Sequence, residues 1–336
     1  MTTRHLSRLA IPSLLSACLL SACGGGGSDP ATQVTVSQVQ NPVAPASAPV
    51  DPVPLVPVTV VPVLPVPVVP VPVVPVVLSV SAITSAAPLS YGQWGVINIT
   101  GTALSQGISL SAPGCSGLTE ISGGTDTARS YRCGVTLATA LPVTALNSAS
   151  TPLLATALPV PDPQVTLLTS LGTVVLELYP AKAPLSVNNF LKYTHDGFYA
   201  GLIFHRVIAG FMSQGGGFAS GLVQKTPTYA AIALESNVGL PNLRGTLAMA
   251  RSDAFDSATS QFFINAVDNA FLNYVSPAKP QYAVFGKVVT GLAVVDAINA
   301  VPTGTRYLNG QTTIPAYAMT DVPLTEVQII TATQTR

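Results

Sequence analysis

Phe204-His205-Arg206-Val207-Ile208-Ala209-Gly210-Phe211-Met212-Ser213-Gln214-Gly215-Gly216-Gly217 gathers one arginine, one glutamine and large apolar side chains around a glycine turn. Such a set is poorly suited to hydrolysis or redox chemistry. It suits a site that grips a proline ring and polarises the amide bond before it. Rotation about an X-Pro bond is slow because resonance gives the bond double-bond character. No covalent bond has to break, so a catalyst need only bind the twisted amide better than either planar form. In the twisted state the prolyl nitrogen becomes pyramidal and gains a lone pair. A fixed cation with planar donors can hydrogen-bond to it, and arginine does so without a protonation equilibrium near neutral pH. An acceleration of about 10⁵-fold requires about 7 kcal/mol. A charge-assisted hydrogen bond in a dry pocket, with ring burial, is of that size.

Arg206 is therefore the candidate catalytic residue, although an arginine met alone would be read as a surface or salt-bridging residue. Read as a strand, residues 204–208 put Phe204, Arg206 and Ile208 on one face and His205 on the other. The same alternation gives Gln261 and Phe263 one face and Phe262 and Ile264 the opposite one. One face can then line a pocket while the other packs a core.

Three further segments accompany the first: Arg244-Gly245-Thr246-Leu247-Ala248-Met249-Ala250-Arg251, then Ser260-Gln261-Phe262-Phe263-Ile264-Asn265 running on to Phe271-Leu272, then Tyr282-Ala283-Val284-Phe285-Gly286-Lys287-Val288. In order and spacing the four resemble the cyclophilin-type peptidyl-prolyl isomerases, over residues 164–331, about half the chain. The resemblance implies an isomerase (rotamase) acting on proline-containing polypeptides, with no metal or organic cofactor. It assigns catalysis to Arg206 and the proline pocket to Phe211, Met212, Phe263 and Leu272. Gln214 and Gln261 match polar positions that contact substrate backbone or hold the arginine, and Ala250 and Arg251 match the backbone-binding edge of the groove. His205 matches a structural histidine and stays outside the site.

Three positions depart from common family patterns. Arg251 stands where many members carry Asn; contact there is largely through the main chain, so binding is expected to survive. Phe271 stands where many eukaryotic members have Trp, whose indole donates a hydrogen bond to cyclosporin; phenylalanine has no donor. Tyr282 replaces a rim histidine and can keep aromatic stacking. The resemblance thus implies preserved turnover with weak cyclosporin inhibition.

The elements that must position these residues are legible around them. Residues 173–179 are strand-like. Val187, Phe190, Leu191 and Thr194 fall at helical spacing, closed by Gly197. Residues 284–289 read as a strand broken by Gly286, Leu292, Val295 and Ile298 as a second short helix, and residues 327–330 as a last strand. Strands with two helices and glycine-rich turns predict, for residues 160–336, a mainly β fold: a closed antiparallel β-barrel capped by two helices.

Residues 78–159 have a different character. Short apolar runs such as Gly95-Val96-Ile97-Asn98-Ile99 and Ile108-Ser109-Leu110 alternate with Gly, Ser and Thr, which suggests a small β-sandwich. Cys115 and Cys133 would staple it if the chain is exported, the alternative being two buried thiols. The domain reads as a spacer or a binding surface. Residues 151–163 carry four prolines and read as a second linker.

Residues 1–22 read as an export signal: Arg4 and Arg8 precede an apolar run, residues 9–20, too short to span a bilayer. Leu20-Ser21-Ala22-Cys23 resembles a bacterial lipoprotein processing box, which makes Cys23 the candidate lipidation site. Leu15-Ser16-Ala17-Cys18 fits the same pattern, but Cys23 leaves a longer apolar core before it and a flexible Gly run after it. Gly24, rather than Asp, follows the cysteine and leans toward the outer membrane. Residues 23–77 form a linker whose proline and valine tract forbids a membrane helix and predicts a polyproline-II spacer of on the order of 100 Å.

The 336 residues contain only 8% charged side chains, with zero formal net charge. No basic run supports nucleic-acid binding. Three histidines and four cysteines are too few for a zinc site once the leader is set aside. Among hydrolase signatures, a Gly-x-Ser-x-Gly elbow is absent. The expectation is a monomeric, lipid-anchored isomerase of the bacterial envelope, periplasm-facing at the outer membrane, acting on exported chains. Its rival is a non-catalytic envelope lipoprotein that uses the isomerase fold to dock peptides.

Overall fold

Eighteen strands and two α-helices are described in the computed structural model over residues 74–310 and 318–336. The expected export signal, Cys23 and the expected spacer up to residue 73 lie outside the described residues.

The first seven strands are β1 (Ser79–Ser85), β2 (Trp94–Thr102), β3 (Ile108–Ser111), β4 (Cys115–Glu120), β5 (Ala128–Val135), β6 (Thr139–Asn147) and β7 (Pro152–Val160). They form two antiparallel sheets, ordered β1-β2-β5-β4 and β3-β6-β7. Their inner faces bury Ile97, Ile99 and Cys133 from one sheet and Leu141, Val143, Ala145 and Val160 from the other. In β2 and β6 the buried positions alternate with more exposed ones, as a sandwich requires. Cys115 and Cys133 are joined by a disulfide between β4 and β5, with Cα atoms 5.1 Å apart.

Residues 151–163 are not a linker. Residues 152–160 pair with β6 from Thr139↔Val160 to Leu146↔Pro152. Prolines suggested a break, but β7 is an edge strand, where a missing amide donor is tolerated. Only Pro161, Asp162 and Pro163 connect the two halves without strand pairing.

The second half contains β8 (Gln164–Thr169), β9 (Gly172–Leu178), α1 (Pro184–His195), β10 (Leu202–Ile208), β11 (Met212–Ala219), β12 (Val223–Gln224), β13 (Thr246–Met249), β14 (Phe262–Asn265), β15 (Val284–Thr290), α2 (Leu292–Asn299), β16 (Thr303–Tyr307), β17 (Ala318–Pro323) and β18 (Ile329–Gln334). One antiparallel sheet runs β10-β11-β14-β13-β15-β9-β8-β18. Its ends meet where Phe204 N donates to Val327 O (2.9 Å) and Gly201 N to Ile329 O (2.8 Å), so the barrel is nearly closed. The last strand starts two residues later than its apolar run suggested, because pairing with β8 begins at Ile329↔Thr169.

Strand β15 is continuous through Gly286, which pairs with both Leu247 and Leu178. Glycine there is not a breaker. A Cβ would lie 2.5 Å from the Glu177 carbonyl oxygen, so only glycine allows the two strands to approach.

Both helices face the barrel core. Val187, Phe190, Leu191 and Thr194 of α1 are buried, as are Val295 and Ile298 of α2. Phe190 meets Phe262 edge-on at 5.4 Å, and Phe262 meets Tyr199 at 5.5 Å, an arrangement worth about 1 kcal/mol per pair beyond area burial. The N-terminus of α1 has proline in its first turn but no capping side chain at Ala183. Glu235 supplies the cap from a distant loop: its carboxylate accepts from Leu185 N (2.9 Å), Ser186 N (2.7 Å) and Ser186 Oγ (2.8 Å).

Candidate functional site

The pocket lies on the outer side of the barrel wall formed by β10, β11, β14 and β13. Arg206 reaches it through a backbone irregularity. In the β10–β11 pairing, Phe204 faces Gly215 and Arg206 faces Gln214, so β10 carries one extra residue at His205. This β-bulge reverses the alternation. Phe204 and Val207 both enter the barrel core, whereas Arg206 lines the pocket and Ile208 packs against its apolar wall. The expected common face of Phe204, Arg206 and Ile208 is therefore corrected: Phe204 belongs to the core, and the extra residue is the reason.

His205 is buried, with its ring 4.6 Å from Phe218 and its Nδ1 lacking a hydrogen-bond partner among the described residues. Burial pushes the imidazole down from 6.5 to about 4, so it is neutral near pH 7. It is a packing residue beside the arginine.

The turn joining β10 to β11 is short. Phe211 N donates to Ile208 O (3.0 Å), and Gly210 sits at φ +69°, where L-residues are strained. Two asparagines clamp this turn. From α2, Asn299 accepts from Gly210 N (2.9 Å) and donates to Ile208 O (3.0 Å). From the other side, Asn269 donates to Phe211 O (3.0 Å) and to Asn265 Oδ1 (2.7 Å). Asn265 donates to Thr246 Oγ1 (2.9 Å), and Asn242 donates to the carbonyl of Leu272 (2.9 Å). These buried amides hold Phe211, Met212 and Leu272 at the same mouth. Sequence reasoning passed over all four asparagines; the only trace of them was polar residues set inside apolar runs.

The resulting cavity holds about 300 Å³ and is lined by Arg206, Phe211, Met212, Gln214, Ala250, Arg251, Phe263, Phe271, Leu272 and Tyr282. Its floor is apolar: Met212, Ala248, Phe263, Leu272 and Val284 form one buried cluster. Phe263 meets Tyr282 edge-on at 5.6 Å, and Phe211 stacks on Phe271 at 5.5 Å. Phe271 is 64% exposed and forms the rim. Gln261 stands one step away. It accepts from Gln214 Nε2 at 2.9 Å and lines a second, polar cavity of about 280 Å³ that shares Gln214, Ala250 and Arg251 with the first. Phe262 and Ile264 turn inward to the barrel core, as their alternation with Phe263 predicts.

Arg251 is held by backbone rather than by acids: Nε donates to Gln281 O (2.9 Å) and Nη1 to Ser252 O (2.8 Å), with the guanidinium 4.9 Å from the Tyr282 ring. Among the described residues its own amide and carbonyl make no hydrogen bond, which leaves a free edge for an extended peptide. Among the described residues one acidic group reaches the catalytic candidate: Asp321 Oδ2 lies 4.0 Å from Arg206 Nε. Nothing in the local sequence pattern pointed to Asp321, more than 100 residues downstream.

This arrangement can bind a small apolar ring, order an extended backbone across Arg251, and present a guanidinium at the ring's edge. A family model described as "Cyclophilin type peptidyl-prolyl cis-trans isomerase/CLD" matches residues 164–334. Over 137 residues the chain is 56% identical to "Peptidyl-prolyl cis-trans isomerase" of Acinetobacter baylyi, covering 41% of this chain and 72% of that protein. It is 55% identical over 139 residues to "Peptidyl-prolyl cis-trans isomerase A" of Dickeya dadantii, covering 41% and 72%. It is 54% identical over 142 residues to "Peptidyl-prolyl cis-trans isomerase B" of Escherichia coli, covering 42% and 86%.

Proposed function

Through residues 164–334 this chain belongs to the cyclophilin-type peptidyl-prolyl cis-trans isomerase family; we infer from that membership how its pocket works, and from the leader residues and the disulfide where it operates. It is a peptidyl-prolyl cis-trans isomerase acting on proline-containing peptides. The prolyl ring enters the floor made by Met212, Phe263 and Leu272, with Phe211, Phe271 and Tyr282 around it. The substrate backbone runs along Ala250 and Arg251, steadied by Gln214 and Gln261. Arg206 donates to the prolyl nitrogen as the amide twists. The planar forms offer that nitrogen no lone pair, so the interaction strengthens only at the transition state, which is the condition for catalysis.

One observation carries this reading: the Arg206 guanidinium lines the same cavity as the ring-sized apolar floor. A docking protein without activity would need neither a cation at that point nor the Gln214–Gln261 pair. Protease-coupled isomerisation of a short proline peptide tests it. Arg206→Ala should lower kcat by about 10²- to 10³-fold, and equal rates for the two proteins would overturn the role of Arg206.

The enzyme works in the bacterial envelope. Residues 1–22 direct export, Cys23 carries the lipid, and the proline-rich residues 40–77 tether the folded part to the outer membrane, facing the periplasm. Exported chains are its substrates. The charged start and short apolar core of the leader support this, as does the Cys115–Cys133 disulfide, a bond favoured in oxidising compartments. Labelling cells with a radioactive fatty acid decides the anchor. Cys23→Ala should abolish the label and Cys18→Ala should leave it; the reverse pattern moves the anchor to Cys18.

A further inference from the structure

We propose that Asp321 is a positioning residue for Arg206, holding the guanidinium by its Nε side so that its Nη donors face the pocket; the proposal rests on the catalytic reading of Arg206. Within the described residues the Arg206 side chain makes no hydrogen bond, and Asp321 is the one carboxylate within 4.0 Å of it. An arginine with four rotatable side-chain bonds and no partner would spread over many rotamers, and ordering it at the moment of catalysis costs rate.

Two backbone irregularities bring the pair together. The bulge at His205 turns Arg206 off the barrel core. On the facing hairpin, Gly304 pairs with Val322 and Arg306 with Met319, so β17 also carries one extra residue against β16. Asp321 sits in that bulge at φ +60°, a left-handed conformation that Asp and Asn tolerate better than other side chains. Its Oδ2 accepts from Thr320 Oγ1 at 3.1 Å, which fixes the oxygen nearest Arg206. The next residue, Val322, is buried with Ile203, Phe218 and Leu222, and this cluster pins β17 to β10. Bulges beside active sites commonly re-aim side chains, and here each bulge aims one member of the pair.

Asp321 is 37% exposed and Arg206 41%, so water screens the pair and its effect on rate is modest. Asp321→Asn removes the charge while keeping the shape and the tolerance of positive φ. With a neutral proline peptide, kcat should fall about threefold to fivefold with KM unchanged. Raising ionic strength should lower the wild-type kcat, a readout that requires only the folded wild type, and should leave Asp321→Asn unaffected. In an Arg206→Ala background Asp321→Asn should have no further effect. An unchanged or increased kcat in Asp321→Asn, a salt-independent wild type, or an equal further loss in the Arg206→Ala background would each overturn the proposal. Wild-type activity in Arg206→Ala would instead overturn the catalytic reading on which it rests.

Discussion

Gln214 donates its amide Nε2–H to Gln261 Oε1 across 2.9 Å, and this bond joins the arginine-bearing hairpin to the entrance of β14. Gln214 lines both the proline cavity and the polar cavity beside it, and Gln261 lines the polar one. Gln261→Ala leaves Gln214 without its acceptor. The expected result is a fall in kcat/KM of about fivefold to tenfold, the worth of one hydrogen bond, with unchanged circular dichroism. An unaltered rate in the peptide assay would reduce the pair to packing.

Arg206→Lys separates charge from geometry. Lysine keeps the positive charge but loses the planar fork that meets a developing lone pair from a fixed direction. Turnover should fall about a hundredfold while KM changes little. A lysine variant as fast as wild type would mean that charge alone is sufficient.

Phe271 sits at the rim, stacked on Phe211 and open to solvent on its other side. It has no hydrogen-bond donor for cyclosporin. Wild-type protein should therefore bind the drug weakly, and Phe271→Trp should bind more tightly with turnover retained. Calorimetry reads both; nanomolar binding by the wild type would contradict the prediction.

His205 predicts acid sensitivity of the fold. Burial holds its pKa at about 4 in the native state, against 6.5 unfolded. Between those values the unfolded chain binds the proton and the native chain does not, so stability falls as pH drops from 6.5 to 4. The loss saturates below 4 at roughly 3 kcal/mol. Thermal unfolding across this range should show the slope, and His205→Gln should flatten it. An identical slope in the variant would assign the acid limb elsewhere.

Asn269 serves both the turn and the network behind it. Asn269→Ala leaves Phe211 O without one of its two donors, the other being Ala266 N, and removes the donor to the buried Asn265 Oδ1. Destabilisation of about 2 kcal/mol is expected, read as a lowered Tm, together with a raised KM as the Phe211 wall loosens. A normal Tm would show that the network is redundant.

The pocket residues were legible because they sit in short segments whose residue types report their chemistry. Phe263 alternates with Phe262 and Ile264, and a period of two already separates pocket from core. The helix containing Val187, Phe190, Leu191 and Thr194 was legible for the same reason, since burial on one face imposes a period that local sequence must carry. Where alternation was the only guide, one inserted residue defeated it. The bulge at His205 moved Phe204 into the core, because register is set by the partner strand and not by the strand itself. The same holds for Gly286 and for the prolines of β7, whose meaning depends on which strand lies alongside.

Determined in the sequence itself were the arginine, the apolar ring site and the four ordered segments. These are properties of residue type and near spacing. Only the tertiary structure decided that Arg206 faces the pocket while Phe204 does not, that four buried asparagines hold the pocket's mouth, and that Asp321 stands behind the guanidinium. Each depends on residues far apart in the chain meeting across a nearly closed sheet. An asparagine or an aspartate takes its role from its partners, and strand pairing supplies those partners.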